Sequence, residues 1–193
     1  LDLEDAVAIA AKVATREAVC HALARPRNCA GFVRVNAYDT EYCYGDIQAI
    51  VSGDLDGIVL PKLESVEDLK SVDWLLINLE RERGVAPGSI DLMPIIETAR
   101  GVAAIRDLVR AGTRVRRFAF GAGDYTRDLA MDWSLGEAEL LPIRSEMVLA
   151  SRLGRLEPPV DTVFIHLKEH EAFRASCETV RSMGFQGKMC IHP

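Results

Sequence analysis

Seven short apolar runs, LDLED, FVRVN, GIVLP, LMPIIE, RFAFGAGD, TVFIHL and KMCIHP, recur along the chain with stretches of helical spacing between them. Strands buried on both faces read as unbroken apolar runs, and strict strand–helix alternation is the sequence form of parallel pairing through helical crossovers. With 193 residues, 49% of them hydrophobic, the chain can fill one sizeable core, so residues 1–193 are expected to form one domain. Its first run is already under way at Leu1, so further residues are expected to precede it. Seven such units predict a TIM (β/α)8 barrel lacking its first strand in this sequence. A doubly wound open sheet is the alternative, but GAGDYT has G-x-G without the third glycine of a dinucleotide loop.

The helices are marked by their ends. Residues 5–25 are Ala-rich with apolar positions at helical spacing, and Pro26 stops them. Residues 40–52 form a second helix, and Ser65 with Asp68 three residues on resembles a capping box opening a third that runs to about residue 83. A fourth covers 99–111 and stops at Gly112. Two more cover 136–153, with Pro142 near the first turn, and 169–183.

Composition narrows the partners. With 23 Lys and Arg against 29 Asp and Glu the formal charge is −6, and no basic run offers a phosphate-backbone footprint, so nucleic acid is not expected. No apolar run approaches the roughly 18 to 20 residues that cross a bilayer, and no signal peptide opens the chain, which predicts a cytoplasmic protein without a membrane partner. The five cysteines are odd in number and scattered without a C-x-x-C pair, so they read as reduced thiols, with Cys190 a small core residue of its strand.

In a barrel the functional groups stand at the carboxyl ends of the strands. Here those ends carry Glu4 and Asp5, Arg34 and Asn36, Lys62, Glu97, Asp124, His166 and His192. Glu97 follows the strand at 92–96 and Asp124 the strand at 118–120; if these are parallel neighbours, the two acids converge. A carboxylate pair with few His or Cys around it suits a hard cation such as Mg²⁺, whereas the bland alternative makes both helix N-terminal acids serving the macrodipole. Gly121 and Gly123 would let the backbone approach a ligand closely. Arg34 can fork onto a substrate oxygen or pair with Glu4 or Asp5. His166 and His192 read equally as bases or as structural residues, and the arginines at 100, 106, 110, 114, 116 and 117 as a solvated helix face and turn.

The stretches LDLEDAV, FVRVN, GIVLPKLES, LMPIIETARGV, FAFGAGDYTRDL, IRSEMVLASR and GFQGKMCIHP together resemble, in order and over nearly the whole chain, the citrate lyase beta subunit-like branch of the HpcH/HpaI aldolase superfamily. The resemblance implies a (β/α)8 barrel, usually a trimer or hexamer of identical chains, that splits or forms carbon–carbon bonds of 3-hydroxyacyl thioesters with Mg²⁺. It places Glu97 and Asp124 on the metal ligands, Arg34 on the arginine that meets substrate, and Glu4 and Asp5 on acids lining the same mouth. The expected reaction is cleavage of a citryl-CoA or malyl-CoA type thioester into acetyl-CoA and an α-keto acid such as oxaloacetate or glyoxylate. Thioesterase or malate synthase-like activity, aldol cleavage of a free keto acid, and a catalytically silent barrel subunit are the alternatives. Two departures stand out: the family usually has Asp in the strand where this chain has His166, and it continues past I-H-P into a helix and lid, whereas the sequence in hand stops at Pro193.

Overall fold

The computed structural model describes residues 1–191. It is an α/β fold of six strands, each hydrogen-bonded in parallel to the next in sequence order. The chain divides into two compact units, one of residues 1–63, 67–94 and 113–115, the other of 64–66, 95–112 and 116 onward.

In the first unit, β1 (Phe32–Arg34) pairs with β2 (Gly57–Leu60), which pairs with residues 91–94 of β3 (Asp91–Ile96). Val33, Ile58 and Leu92 lie level across the three strands and are fully buried, as the unbroken apolar runs predicted. Around them stand α1 (Lys12–Leu23), α2 (Cys43–Ile50) and α3 (Val66–Glu82). The helix expected over 5–25 therefore starts later, after a 3₁₀ turn at Ile9–Ala11. LDLED does not form a strand. It keeps one parallel bridge, Asp2 to Arg34, because the Asp2 carboxylate turns back to accept from the Glu4 and Ala6 amides at 2.9 and 3.2 Å.

The second unit contains Ile95 and Ile96 of β3, then β4 (Ala119–Phe120), β5 (Val160–Asp161) and β6 (Gly187–Lys188). Its helices are α4 (Ala99–Leu108), α5 (Ala122–Asp128), α6 (Leu141–Leu153) and α7 (His170–Met183), with a 3₁₀ turn at Ala138–Leu140 leading into α6. The strand expected over 162–167 is displaced: pairing occurs at Val160 and Asp161, and the chain is already turning where the Glu169 amide bonds the His166 carbonyl at 2.9 Å. Ile165 and Leu167, which made that run look like a strand, are exposed. Cys190 is likewise exposed, beyond the end of β6, and not a core residue. The five cysteines are free. His192 lies outside the described residues. Among the described residues, no helix is long and apolar enough to cross a membrane.

Candidate metal centre

The register of β3 and β4 sets Ile96 beside Phe120, so both strands deliver their next residues at the same end of the pair. Glu97 follows immediately and is only 4% exposed. Thr98, the next residue, caps α4 with its hydroxyl oxygen, which accepts from the Gly101 amide at 3.0 Å, so the chain direction changes directly after the carboxylate. On the neighbouring strand the Gly121 amide donates to the Ile96 carbonyl at 3.1 Å. A Cβ at position 121 would stand 2.3 Å from Glu97 Oε2, 2.7 Å from Glu97 Cβ and 2.9 Å from Ile95 Cγ2. The Glu97 side chain thus occupies the space that glycine leaves open.

Asp124 is not at a strand end. β4 stops at Phe120, Gly121 is the N-cap of α5, and Asp124 stands in the first turn of that helix. Its Oδ1 lies 3.3 Å from Arg127 Nη1, a contact with a largely exposed partner that contributes little. The helix is held at both ends: the Ala122 amide donates to Thr162 Oγ1 at 2.9 Å, and Asp128 Oδ2 accepts from the Ala99 amide at 2.7 Å. Tyr125 packs edge-on against Phe120, their ring centroids 5.5 Å apart. At Gly123 a Cβ would meet only Trp133 Cζ3 at 3.9 Å, so the close approach expected of both glycines is a steric requirement at Gly121 alone.

Among the described residues no group of three or more His, Cys, Asp or Glu side chains is arranged to hold a metal. A pair of carboxylates, one buried and seated over a glycine, suits Mg²⁺, which is normally held by one or two protein carboxylates and takes its other ligands from water and substrate oxygens. The donor set therefore fits that ion.

In the first unit Arg34 is paired. Its Nε and Nη2 fork onto the Asp2 carboxylate at 2.9 and 2.6 Å, and its Nη1 reaches Glu4 Oε2 at 2.9 Å and Asp5 Oδ2 at 3.8 Å. Asp2 was absent from the sequence-based candidates, although it sits two residues before Glu4 on the same segment. Glu4 is buried, also meets Lys62 Nζ at 2.5 Å, and burial pushes its carboxyl above the ordinary value. Burial opposes the charge on Arg34, but the Asp2 and Glu4 carboxylates outweigh it and raise the guanidinium's pKa. Asn36 donates to the Leu3 carbonyl at 2.9 Å and to Asp46 Oδ2 at 2.6 Å, while its oxygen accepts from Lys12 Nζ at 2.6 Å. Lys12, buried at the start of α1, also reaches the Leu3 and Glu4 carbonyls at 3.2 and 3.0 Å.

The second unit holds a charge network that sequence reasoning missed. Arg144, 1% exposed, forks onto Asp161 with two contacts of 2.9 Å and reaches Glu137 Oε2 at 2.8 Å. Lys188 joins Asp161 at 2.5 Å, and the Ser176 hydroxyl joins Glu137 at 2.6 Å. His166 packs against Phe164, with centroids 5.6 Å apart, and its Nε2 is buried without a hydrogen-bond partner among the described residues. The arginine series divides: Arg106 and Arg116 are exposed, but the Arg114 side chain is only 7% exposed, holding Asp73 at 2.6 Å and Glu80 at 2.6 and 3.0 Å.

Parallel strands joined by helices, with an acidic residue directly after the third, define an α/β protein of the kind that places ligands at the carboxyl ends of its strands. The chain belongs to the HpcH/HpaI aldolase/citrate lyase family, whose model matches residues 1–193. It is 34% identical to citrate lyase subunit beta of Escherichia coli K12, the match covering all of this chain and 64% of that protein. It is 31% identical to the (3S)-malyl-CoA thioesterase of Cereibacter sphaeroides, again over 64% of that protein. The chain thus spans somewhat less than two thirds of the length of these relatives. Among solved structures it matches the citrate lyase beta subunit from Mycobacterium tuberculosis complexed with oxaloacetate and magnesium, with TM-score 0.78 and 26% identity, covering all of this chain and 80% of that one. The crystal structure of RipC from Yersinia pestis matches with TM-score 0.82 and 27% identity, covering 82% of that chain.

Proposed function

We propose that this chain is a Mg²⁺-dependent carbon–carbon lyase that cleaves a 3-hydroxyacyl-CoA thioester of the citryl-CoA or malyl-CoA type into acetyl-CoA and an α-keto acid. The observation that carries the reading is the buried Glu97 carboxylate directly after β3, seated in the space left by Gly121. Glu97 and Asp124 would hold the ion, and the magnesium and oxaloacetate bound to the Mycobacterium tuberculosis relative support that chemistry. Bound there, Mg²⁺ supplies Lewis acidity, which lowers the pKa of a hydroxyl and favours its deprotonation. Glu97 contributes a charged oxygen donor whose direction is set by its seat over Gly121. For Arg34 we propose a substrate contact in which its fork trades part of its hold on Asp2 or Glu4 for a substrate oxygen.

The test is Glu97→Gln, assayed with malyl-CoA and citryl-CoA in the presence of Mg²⁺ with products identified by mass spectrometry. Loss of turnover is expected; turnover equal to the unsubstituted chain with metal still bound refutes the assignment. A second reading, thioester hydrolysis, is favoured by the thioesterase among the relatives. The same assay separates the two: cleavage of malyl-CoA yields acetyl-CoA and glyoxylate, whereas hydrolysis yields malate and free CoA.

A further inference from the structure

We infer that Thr162 is a positioning residue for the Asp124 carboxylate, acting through the start of α5. The inference rests on the proposed metal site. A helix begins with amides that have no partner inside it, and a side-chain oxygen at the N-cap normally meets one of them. In α5 the N-cap is Gly121, which offers no side chain, and it cannot carry one because the Glu97 side chain fills the place where its Cβ would stand. The seat of one carboxylate therefore removes the local cap of the helix that carries the other. Thr162, from the segment directly after β5, supplies an acceptor from outside the helix: its hydroxyl oxygen takes the Ala122 amide at 2.9 Å, one position ahead of the amides a cap side chain would meet, and both residues are buried. Thr162 is itself held in place. Its neighbour Asp161 is fully buried and receives two contacts from Arg144 and one from Lys188. With Asp128 tying the other end of α5 to the Ala99 amide, the helix has one anchor at each end, and Asp124 stands two residues after the one Thr162 supplies.

Thr162→Val keeps the shape and deletes the acceptor, whereas Thr162→Ser keeps the hydroxyl. In calorimetric titration of the chain with Mg²⁺, Thr162→Val is expected to weaken binding by about 10-fold, the low end of the cost of losing a group bonded directly to a metal ligand, because Thr162 acts through the Ala122 amide. Thr162→Ser restores binding, and amide hydrogen exchange quickens at Ala122 in the valine variant alone. Val180→Ala, a destabilising change in α7, serves as a control for lost stability and should bind Mg²⁺ as the unsubstituted chain does. If Thr162→Val does not fold, Thr162→Ala, which also lacks the acceptor, takes its place. A folded variant without the hydroxyl that binds Mg²⁺ with unchanged affinity overturns the inference while leaving the metal site intact. Binding that survives both Glu97→Gln and Asp124→Asn overturns the metal site itself, and the inference with it.

Discussion

Gly121→Ala gives the sharpest test of the centre. The new methyl would lie 2.3 Å from Glu97 Oε2, and since real Cβ atoms essentially never come nearer than 3.0 Å, that oxygen must retreat by at least 0.7 Å. Rotating the carboxylate does not solve the problem, because Glu97 Cβ and Ile95 Cγ2 would also be too close, at 2.7 and 2.9 Å, and Ile95 is anchored in β3. Overpacking of a buried site costs about 1–3 kcal/mol. For a chain of this size that corresponds to a fall in Tm of about 2–12 °C. The consequence for binding is larger, because Mg²⁺ demands near-ideal octahedral geometry with oxygens at about 2.0–2.1 Å. Gly123→Ala is the internal control. Its methyl would meet only Trp133 Cζ3 at 3.9 Å, and in a helix alanine is favoured over glycine by about 1 kcal/mol, so this variant should be neutral or slightly stabilised. Thermal unfolding and Mg²⁺ titration of both variants decide the matter. Gly121→Ala with unaltered stability and affinity, or the two variants equally impaired, would refute the seating argument.

Two further outcomes concern the buried charges. Arg144→Met strips Asp161 and Glu137 of their shared partner inside the protein and should cost about 3–5 kcal/mol in urea unfolding. A loss under about 1 kcal/mol, the worth of an exposed pair, would show the network to be dispensable. Burial alone would raise the Glu80 carboxyl, but the Arg114 guanidinium and the Gly88 and Ile90 amides outweigh it and hold its pKa below 4.5. Its contribution to stability is therefore present above pH 4.5 and is lost as pH falls through the lower folded value. Glu80→Gln should flatten the acid limb of stability against pH below that point, and an unchanged acid limb would contradict the sign.

The parallel strands were legible where both faces are buried. FVRVN, GIVLP and LMPIIE read as strands because Val33, Ile58 and Leu92 face core on every side. TVFIHL misled because apolar composition is not burial, and its exposed Ile165 and Leu167 contribute nothing to pairing. Glu97 was legible for a related reason: a carboxylate directly behind an apolar strand can only leave the sheet at its end. Asp124 could be located but not its setting, since nothing local shows the chain turning helical at Ala122 when the required acceptor lies 40 residues away on Thr162. Arg114 looked solvated for the same reason: its acceptors Asp73 and Glu80 lie 41 and 34 residues upstream, and only the fold brings them to it.

Lys12 carries a consequence of another kind. An ammonium has three protons to give, and the Leu3 carbonyl, the Glu4 carbonyl and the Asn36 side-chain oxygen take one contact each. Such a cage of neutral oxygens around a single positive charge is what many proteins assemble around a borrowed alkali ion. Here the cation is carried by the chain itself, so these three oxygens need no ion from the surrounding solution.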